Sequence, residues 1–391
     1  MSLLDADRHR ELMQLRQEFH QMAELGFEET QTSDKICRYL DELGIDYHQG
    51  LAGTGIVASL KAGNGNRVIG LRADIDALPI TETTDCAYRS HNDGVMHACG
   101  HDGHTTMLLG AVRHLFESKS FDGTVHFIFQ PAEEHGKGAL KMIADGLFER
   151  YPCDAVYGMH NMPWLETGKF ATNSGPIMGA EDNFEIRVTG RGGHAAIPHA
   201  SKDALTIAAS IITALQTIVS RNVDPLHGAV VSCTEILTDG TTNVIPTEVV
   251  IKGDTRSFLP EVSELIEQRM RRLVAGICEA HEVEHRVEYS RVFLSTINTP
   301  AESERAAEAA RAVVGDANVA WECAPMMASE DFGAMLREKP GNYIFIGNRG
   351  NGGRGSTMLH NPAYDFNDDI IPFGVAYWVK LVETELPVNN R

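Results

Sequence analysis

The order of hydrophobic periods along the chain constrains its fold more than any other feature. Strand-like apolar runs at 67–71, 124–129 and 155–158 alternate with helical runs at 104–116 and 138–143. Alternation of this kind builds a sheet layered with helices. A second succession follows, with a strand at 184–188, a helix at 203–219, strands near 229–236 and 248–253, a helix at 261–279 and a strand near 286–289. Strand-helix-strand-strand-helix-strand is a complete α+β sandwich by itself. A helix at 301–314, a strand at 343–347 and a closing helix near 371–385 remain. They are too few for a third core and are expected to return to the first layer. The predicted architecture is an α/β domain formed by 1–182 and 295–391, interrupted by an α+β (βαββαβ) insertion at 183–294. A length of 391 residues exceeds what one hydrophobic core usually serves, in keeping with two domains.

Charge narrows the partners. The chain has 34 Lys and Arg against 54 Asp and Glu, a formal net charge of −20. Nucleic acid and anionic membrane surfaces both require a basic patch to displace counterions, so neither is expected as a partner. No apolar run approaches the ~20 residues of a membrane span, and the first residues are charged and helical in pattern rather than a signal peptide. A soluble cytoplasmic protein is expected. The cysteines at 37, 86, 99, 153, 233, 278 and 323 are odd in number and form no CxxC pair. That excludes a disulfide framework or zinc knuckle and fits a reducing compartment. Six of them read as small buried apolar residues. Cys99 differs through its neighbours.

Polar groups gather just after the strand-like runs: Asp74 and Asp76, the pair Glu133-Glu134, and His160. In an open α/β sheet the crevice at the carboxyl ends of the strands is the usual binding site. The densest segment is 96–104, MHACGHDGH, where Cys99 and His101 stand two apart and can face the same way in extended backbone around a permissive Gly100. Thiolate and imidazole suit a borderline-soft divalent cation, whereas the bland reading is a polar start to a helix. Glu133 and Glu134 could serve separately as metal ligand and general base, or form a solvated acidic loop. His160 and His360 each sit near a bend, and neither HExxH nor C2H2 spacing occurs. GRGGHA at 190–195 formally matches a dinucleotide fingerprint. It opens no helix directly and lacks the acid about 20 positions on, so its glycines more plausibly shape a loop presenting His194.

Taken together, LRADIDALPITE (71–82), MHACGHDGHT (96–105), QPAEEHGKGA (130–139), GMHN (158–161), GRGGHAAIPH (190–199), NVIP (243–246), SEDF (329–332) and LHNP (359–362) resemble the M20 metallopeptidase family, in its hippurate hydrolase and auxin-conjugate amidohydrolase branch. The resemblance implies an α/β catalytic domain with an inserted α+β (βαββαβ) lid or dimerisation domain. It implies two divalent metal ions per chain, zinc or manganese first and cobalt or nickel as alternatives, on Cys99, His101, Glu134, His160 and His360. Glu133 would be the general base. His194 would steady the developing oxyanion, within its own chain or a neighbouring subunit's, and Asn243 with Arg256 would hold the substrate carboxylate. Asp74 and Asp76 are expected behind the ligands, and His20 is assigned no role. The implied reaction is hydrolysis of N-acyl amino acids by a homodimer or dimer-based oligomer. The rivals are an aminopeptidase or dipeptidase, for which Asp254 is the hint, and a non-catalytic sensor of acylated amino acids.

Overall fold

The computed structural model describes residues 3–388. The chain divides into two compact units, a larger one made of the segment up to Ile177, Ile297–Ala324 and the segment from Asp331 onward, and a smaller one made of Met178–Thr296 and Pro325–Glu330.

The larger unit is built on an eight-stranded sheet in the order Tyr47–Leu51, Gly55–Ala62, Gly123–Gln130, Val68–Asp74, Ala155–Glu166, Gly341–Arg349, Phe170–Thr172 and Val319–Trp321. Its four central strands, from Gly123–Gln130 to Gly341–Arg349, run parallel. Parallel strands are covered on both faces, which is why they read as continuous apolar runs. The helices Ala6–Gln21, His101–Ser118 and Ile371–Glu385 contribute Phe19, Leu108, Val112, Trp378 and Val382 to a core shared with Leu71, Phe127 and Tyr157. Val68–Asp74 and Gly123–Gln130 end level, with Asp74 opposite Gln130. The turns that follow them therefore bring Asp76 and Glu133-Glu134 to the same end of the sheet.

One sequence expectation fails here. The strand placed at 155–158 continues to Glu166, and His160 and Asn161 lie inside it rather than at a bend. Both are buried, and their polar atoms are satisfied within the layer: the Asn161 Oδ1 lies 2.7 Å from His104 Nε2, and His160 Nδ1 lies 2.7 Å from the Asn161 carbonyl oxygen. Polar residues mimic a strand end only when their partners are invisible.

The smaller unit has a four-stranded antiparallel sheet in the order Ala229–Thr238, Glu248–Ser257, Ala180–Thr189 and Glu284–Phe293. Helices Ala204–Asn222 and Pro260–Ala280 cover one face, through Ile207, Ile211, Leu215, Ile266, Met270 and Val274 against Ile186, Val188, Val249 and Ile251. This unit takes in 178–182, 295–296 and 325–330 beyond the expected 183–294, and the Gly179 amide joins two of these stretches by donating to the carbonyls of Met326 and Ala328. A further correction concerns Ala204–Asn222. By length and composition this 19-residue helix is apolar enough to cross a membrane, contrary to the expectation that no run comes near that length, and 33% of it is buried. Its buried positions, Ile207, Ala208, Ile211, Leu215 and Ile218, recur at the three-to-four-residue spacing of a helix lying on a sheet.

Candidate metal centre

Gly100 sets the geometry of the densest motif. It adopts φ +97°, and a Cβ there would lie 2.2 Å from Asn161 Oδ1, so the turn admits no side chain. The backbone between Cys99 and His101 is this left-handed bend, not the extended run expected from spacing, and His101 is the first residue of the helix His101–Ser118.

The five expected ligands converge within the larger unit. Donor atoms of Cys99, His101 and His160 lie within 4.8 Å of one another, as do those of Cys99, Glu134 and His360, and those of His101, Glu133 and Glu134. Cys99 belongs to two of these groups, so they form adjoining cradles. Cys99 Sγ is 3.3 Å from His160 Nε2, and Glu134 Oε1 is 3.5 Å from His360 Nε2 and 4.0 Å from His101 Nε2.

Whether this cluster suits a cation can be read from what its atoms lack. His101 Nε2 and Glu134 Oε1 are buried and make no hydrogen bond. Orphaned buried polar atoms are costly and uncommon, and a metal ion would satisfy both. The far sides of the rings are fixed: His101 Nδ1 lies 3.0 Å from the Asp76 carbonyl oxygen and 3.2 Å from its Oδ1, and His160 Nδ1 faces the Asn161 carbonyl. A proton held at each Nδ1 leaves Nε2 as the lone-pair donor. Burial lowers the proton affinity of His101, yet the carboxylates of Asp74, Asp76 and Glu134 outweigh it and raise the pKa to about 10. The same negative potential favours a divalent cation. His160 is shifted the other way, well below the usual imidazole range, by burial and then by His104. Sulfur, nitrogen and carboxylate donors together suit a divalent metal ion.

His360 reaches the cluster from late in the chain. It is half exposed, adopts φ +61°, and its amide donates to the Ala98 carbonyl at 2.8 Å, beside Cys99. A left-handed histidine is uncommon and concentrates at functional sites. Glu133 is buried, and the Asp331 amide donates to its Oε1 at 3.4 Å.

Of the groups that brace this cluster, the sequence pointed to Asp74 and Asp76 but not to Arg16, Arg72 or Asp102. Asp74 lies 2.6 Å from His104 Nδ1 and accepts from Arg72 at 2.7 Å. Arg72 also donates to Asp331 at 3.0 Å, and Asp331 accepts from Gln130 and from the Ala139 amide. Asp102, next to His101, lies 2.8 Å from His20 Nδ1 and 3.4 Å from Arg16. Asp331 stands in the SEDF block and Arg72 in LRADIDALPITE, but Arg16 looks in sequence like an ordinary surface cation.

The smaller unit carries the remaining site residues. His194 ends a two-residue strand paired with Val244–Ile245, and the Ala195 amide donates to the Asn243 carbonyl at 3.0 Å, so His194 and Asn243 are neighbours. Both are exposed. His194 Nδ1 accepts from the Ala196 amide at 3.0 Å, which leaves the proton of the neutral ring on Nε2. After the strand Ala180–Thr189 no α-helix begins until Ala204, so the 190–195 glycines open no dinucleotide site. Arg256 sits on the four-stranded sheet, where it is already engaged by Asp254 at 3.0 Å, Glu181 at 2.9 Å and Ser329 at 2.7 Å.

The profile of peptidase family M20/M25/M40 matches residues 70–384. The chain is similar to a hippurate hydrolase of Campylobacter jejuni, at 40% identity over 95% of each chain, and to an N-acetylcysteine deacetylase of Bacillus subtilis, at 36% identity over 95% of this chain and 96% of that one. An IAA-amino acid hydrolase of Arabidopsis thaliana is 34% identical over 94% of this chain and 85% of its own length. Among solved structures, a dinuclear metal-binding M20 peptidase of Bacillus subtilis superposes with a TM-score of 0.85 at 31% identity, covering 97% of this chain and 98% of that one.

Proposed function

Because the chain belongs to peptidase family M20/M25/M40, we propose that it is a dinuclear metal-dependent amidohydrolase that cleaves the amide bond of N-acyl amino acids. The convergence of Cys99, His101, Glu134, His160 and His360, with two orphaned donor atoms among them, carries this reading. Hippurate, N-acetylcysteine and IAA-amino acid conjugates, named for the relatives, are one chemical class: an acyl group amide-linked to an amino acid.

The five ligands would hold two divalent ions, whose chemistry is to polarise the scissile carbonyl and to lower the pKa of the attacking water. Glu133 takes the proton from that water and later delivers it to the leaving amine, one carboxylate serving as base and then acid. His194, with a proton on Nε2, donates to the oxygen on which negative charge develops. Arg256 and Asn243 hold the substrate's free carboxylate, the guanidinium by parallel hydrogen bonds. The acids around Arg256 favour a second reading, in which Asp254 and Glu181 receive a free ammonium group and the enzyme is an aminopeptidase.

The smaller unit serves as lid and dimer contact in this account. Ile236 and Leu237 are exposed on its outer strand Ala229–Thr238 and Leu226 in the turn before it, the kind of apolar edge a second copy covers. The seven cysteines are free, which supports a cytoplasmic setting. The test is release of free amino acid from acetyl, benzoyl and indoleacetyl conjugates with added Mn²⁺ or Zn²⁺. Turnover of these conjugates is expected, and cleavage restricted to peptides with a free amino terminus would replace this reading with the second.

A further inference from the structure

Glu29 lies outside every motif considered so far, in the segment Glu24-Leu25-Gly26-Phe27-Glu28-Glu29. Its side chain is fully buried. One carboxylate oxygen accepts from the Ala132 amide at 2.8 Å and the other from the Thr54 hydroxyl at 2.6 Å. Ala132 directly precedes Glu133 and adopts φ +53°, the left-handed region that a residue with a Cβ rarely enters. Such a conformation persists only where the surroundings impose it.

The surroundings here are specific. Upstream of Glu133, Glu29 takes the Ala132 amide; downstream, Asp76 accepts from the Glu134 amide at 3.0 Å. The Gly138 amide donates to the Ala132 carbonyl at 3.1 Å, and the Gly136 amide to the Glu133 carbonyl at 2.7 Å. Gly26 closes the approach from the same segment, since a Cβ there would stand 2.9 Å from the Ala132 Cα and 2.3 Å from His135 Nδ1. The stretch 24–29 thus lies on the Glu133 loop with no room between.

We infer that Glu29 is a positioning residue, which imposes the left-handed turn at Ala132 through its amide and so turns Glu133 away from Glu134, whose own amide is held by Asp76. The inference rests on the proposed roles of those two residues. It answers a question adjacency leaves open, namely how neighbouring carboxylates come to face different tasks: a left-handed residue immediately before them reorients the chain. Burial pushes the Glu29 carboxyl up to about 7, against the pull of the Thr54 hydroxyl, with the Asp76 charge adding to the rise. A carboxyl oxygen accepts the Ala132 amide in either protonation state.

The test compares two side chains of similar shape, one with an acceptor and one without. Glu29→Gln keeps an oxygen for the Ala132 amide and should hold kcat within about threefold of wild type, whereas Glu29→Met should lower kcat by about 30-fold with KM and bound metal unchanged, as expected for a misaimed base. Thr54→Val removes the other partner of Glu29 and should leave kcat near wild type. Hydrogen exchange at the Ala132 amide supplies a readout independent of turnover: fast in Glu29→Met, protected in wild type and Glu29→Gln. Equal kcat in the Gln and Met variants, equal loss in Met and Thr54→Val, or unchanged Ala132 exchange in Glu29→Met would overturn the inference. If wild type itself releases no amino acid from any N-acyl conjugate, the functional reading fails, and the exchange and metal measurements still decide the role of Glu29.

Discussion

In the larger unit Cys99, His101, Glu133 and His160 are buried, and the ring nitrogens turned away from the donor cluster are occupied, by Asp76 for His101 and by the Asn161 carbonyl for His160. In the smaller unit His194 and Asn243 are exposed on a two-residue strand pair, and Arg256 is shared among Asp254, Glu181 and Ser329. The first arrangement is preorganised: the cost of burying its polar atoms is met by fixed partners, and the atoms left over are those a cation would take. The second keeps His194 and Asn243 in water, where each is inexpensive to hold and free to change partner, while Arg256 is partly buried among its partners. Binding of metal is therefore expected to depend on the larger unit alone, while substrate recognition draws on the smaller one.

That contrast can be broken most severely at Cys99, whose sulfur belongs to two of the donor groups. Cys99→Ala should remove most bound metal, measured by elemental analysis, and lower kcat/KM by about 10³-fold or more. Full metal content in this variant would show that the cluster does not depend on the shared thiolate. Within the same cluster, Glu133→Gln should cut turnover by about 10²-fold or more with metal content near wild type. Glu134→Gln should lose metal instead. Identical behaviour of the two variants would erase the division of labour between them.

The smaller unit should respond differently. His194→Ala is expected to reduce kcat by about 10²-fold, the effect of deleting one donor to a developing oxyanion, with metal content intact. Mixed dimers of His194→Ala and Glu133→Gln subunits should partly regain activity if the histidine serves a neighbouring subunit. No recovery in verified mixed dimers would confine it to its own chain. Arg256→Lys should cost about 2–3 kcal/mol in kcat/KM on substrates with a free carboxylate, and methyl esters should already be poor substrates for wild type. Asp254→Asn sharpens this test, because it relieves Arg256 of one competing carboxylate and should lower KM for free acids. Equal turnover of acid and ester would favour the free-amine reading.

The smallest effect concerns stability. Burial lowers the proton affinity of His20, but hydrogen bonds to Asp102 and Glu82 outweigh it and raise its pKa from 6.5 to about 9. A raised folded-state value means that the charged ring stabilises the fold fully below pH 6.5, and that this contribution, about 3 kcal/mol, is lost as pH rises through about 9. The melting-temperature gap between wild type and His20→Gln should accordingly shrink across that window. A constant gap would mean that His20 is not charged in the fold.

Most of the architecture was legible because the layers differ in period. The buried parallel strands, the amphipathic helices and the βαββαβ succession each leave a distinct pattern. The site was legible where donors crowd one segment, as at 96–104, and illegible where its logic depends on distant partners. The continuation of Ala155–Glu166 through His160 was hidden, because the atoms that satisfy His160 and Asn161 come from the helix His101–Ser118 and from the strand's own backbone. Arg16, Arg72 and Glu29 were hidden for the same reason: a charged residue alone looks solvated, and only the folded chain shows Asp368, Asp331 or the Ala132 amide beside it. The apolar length of Ala204–Asn222 was missed because Thr, Ser and Gln interrupt the run without adding charge.

The central claim is that the buried cluster of the larger unit works through two divalent ions. Its most direct test is stepwise reconstitution of chelated protein with Mn²⁺ or Zn²⁺, following bound metal and release of glycine from hippurate together. The account predicts no turnover in the metal-free protein, binding that saturates at two ions per chain, and activity that returns as they bind. Full activity after exhaustive chelation, or activity that does not follow bound metal, would contradict it.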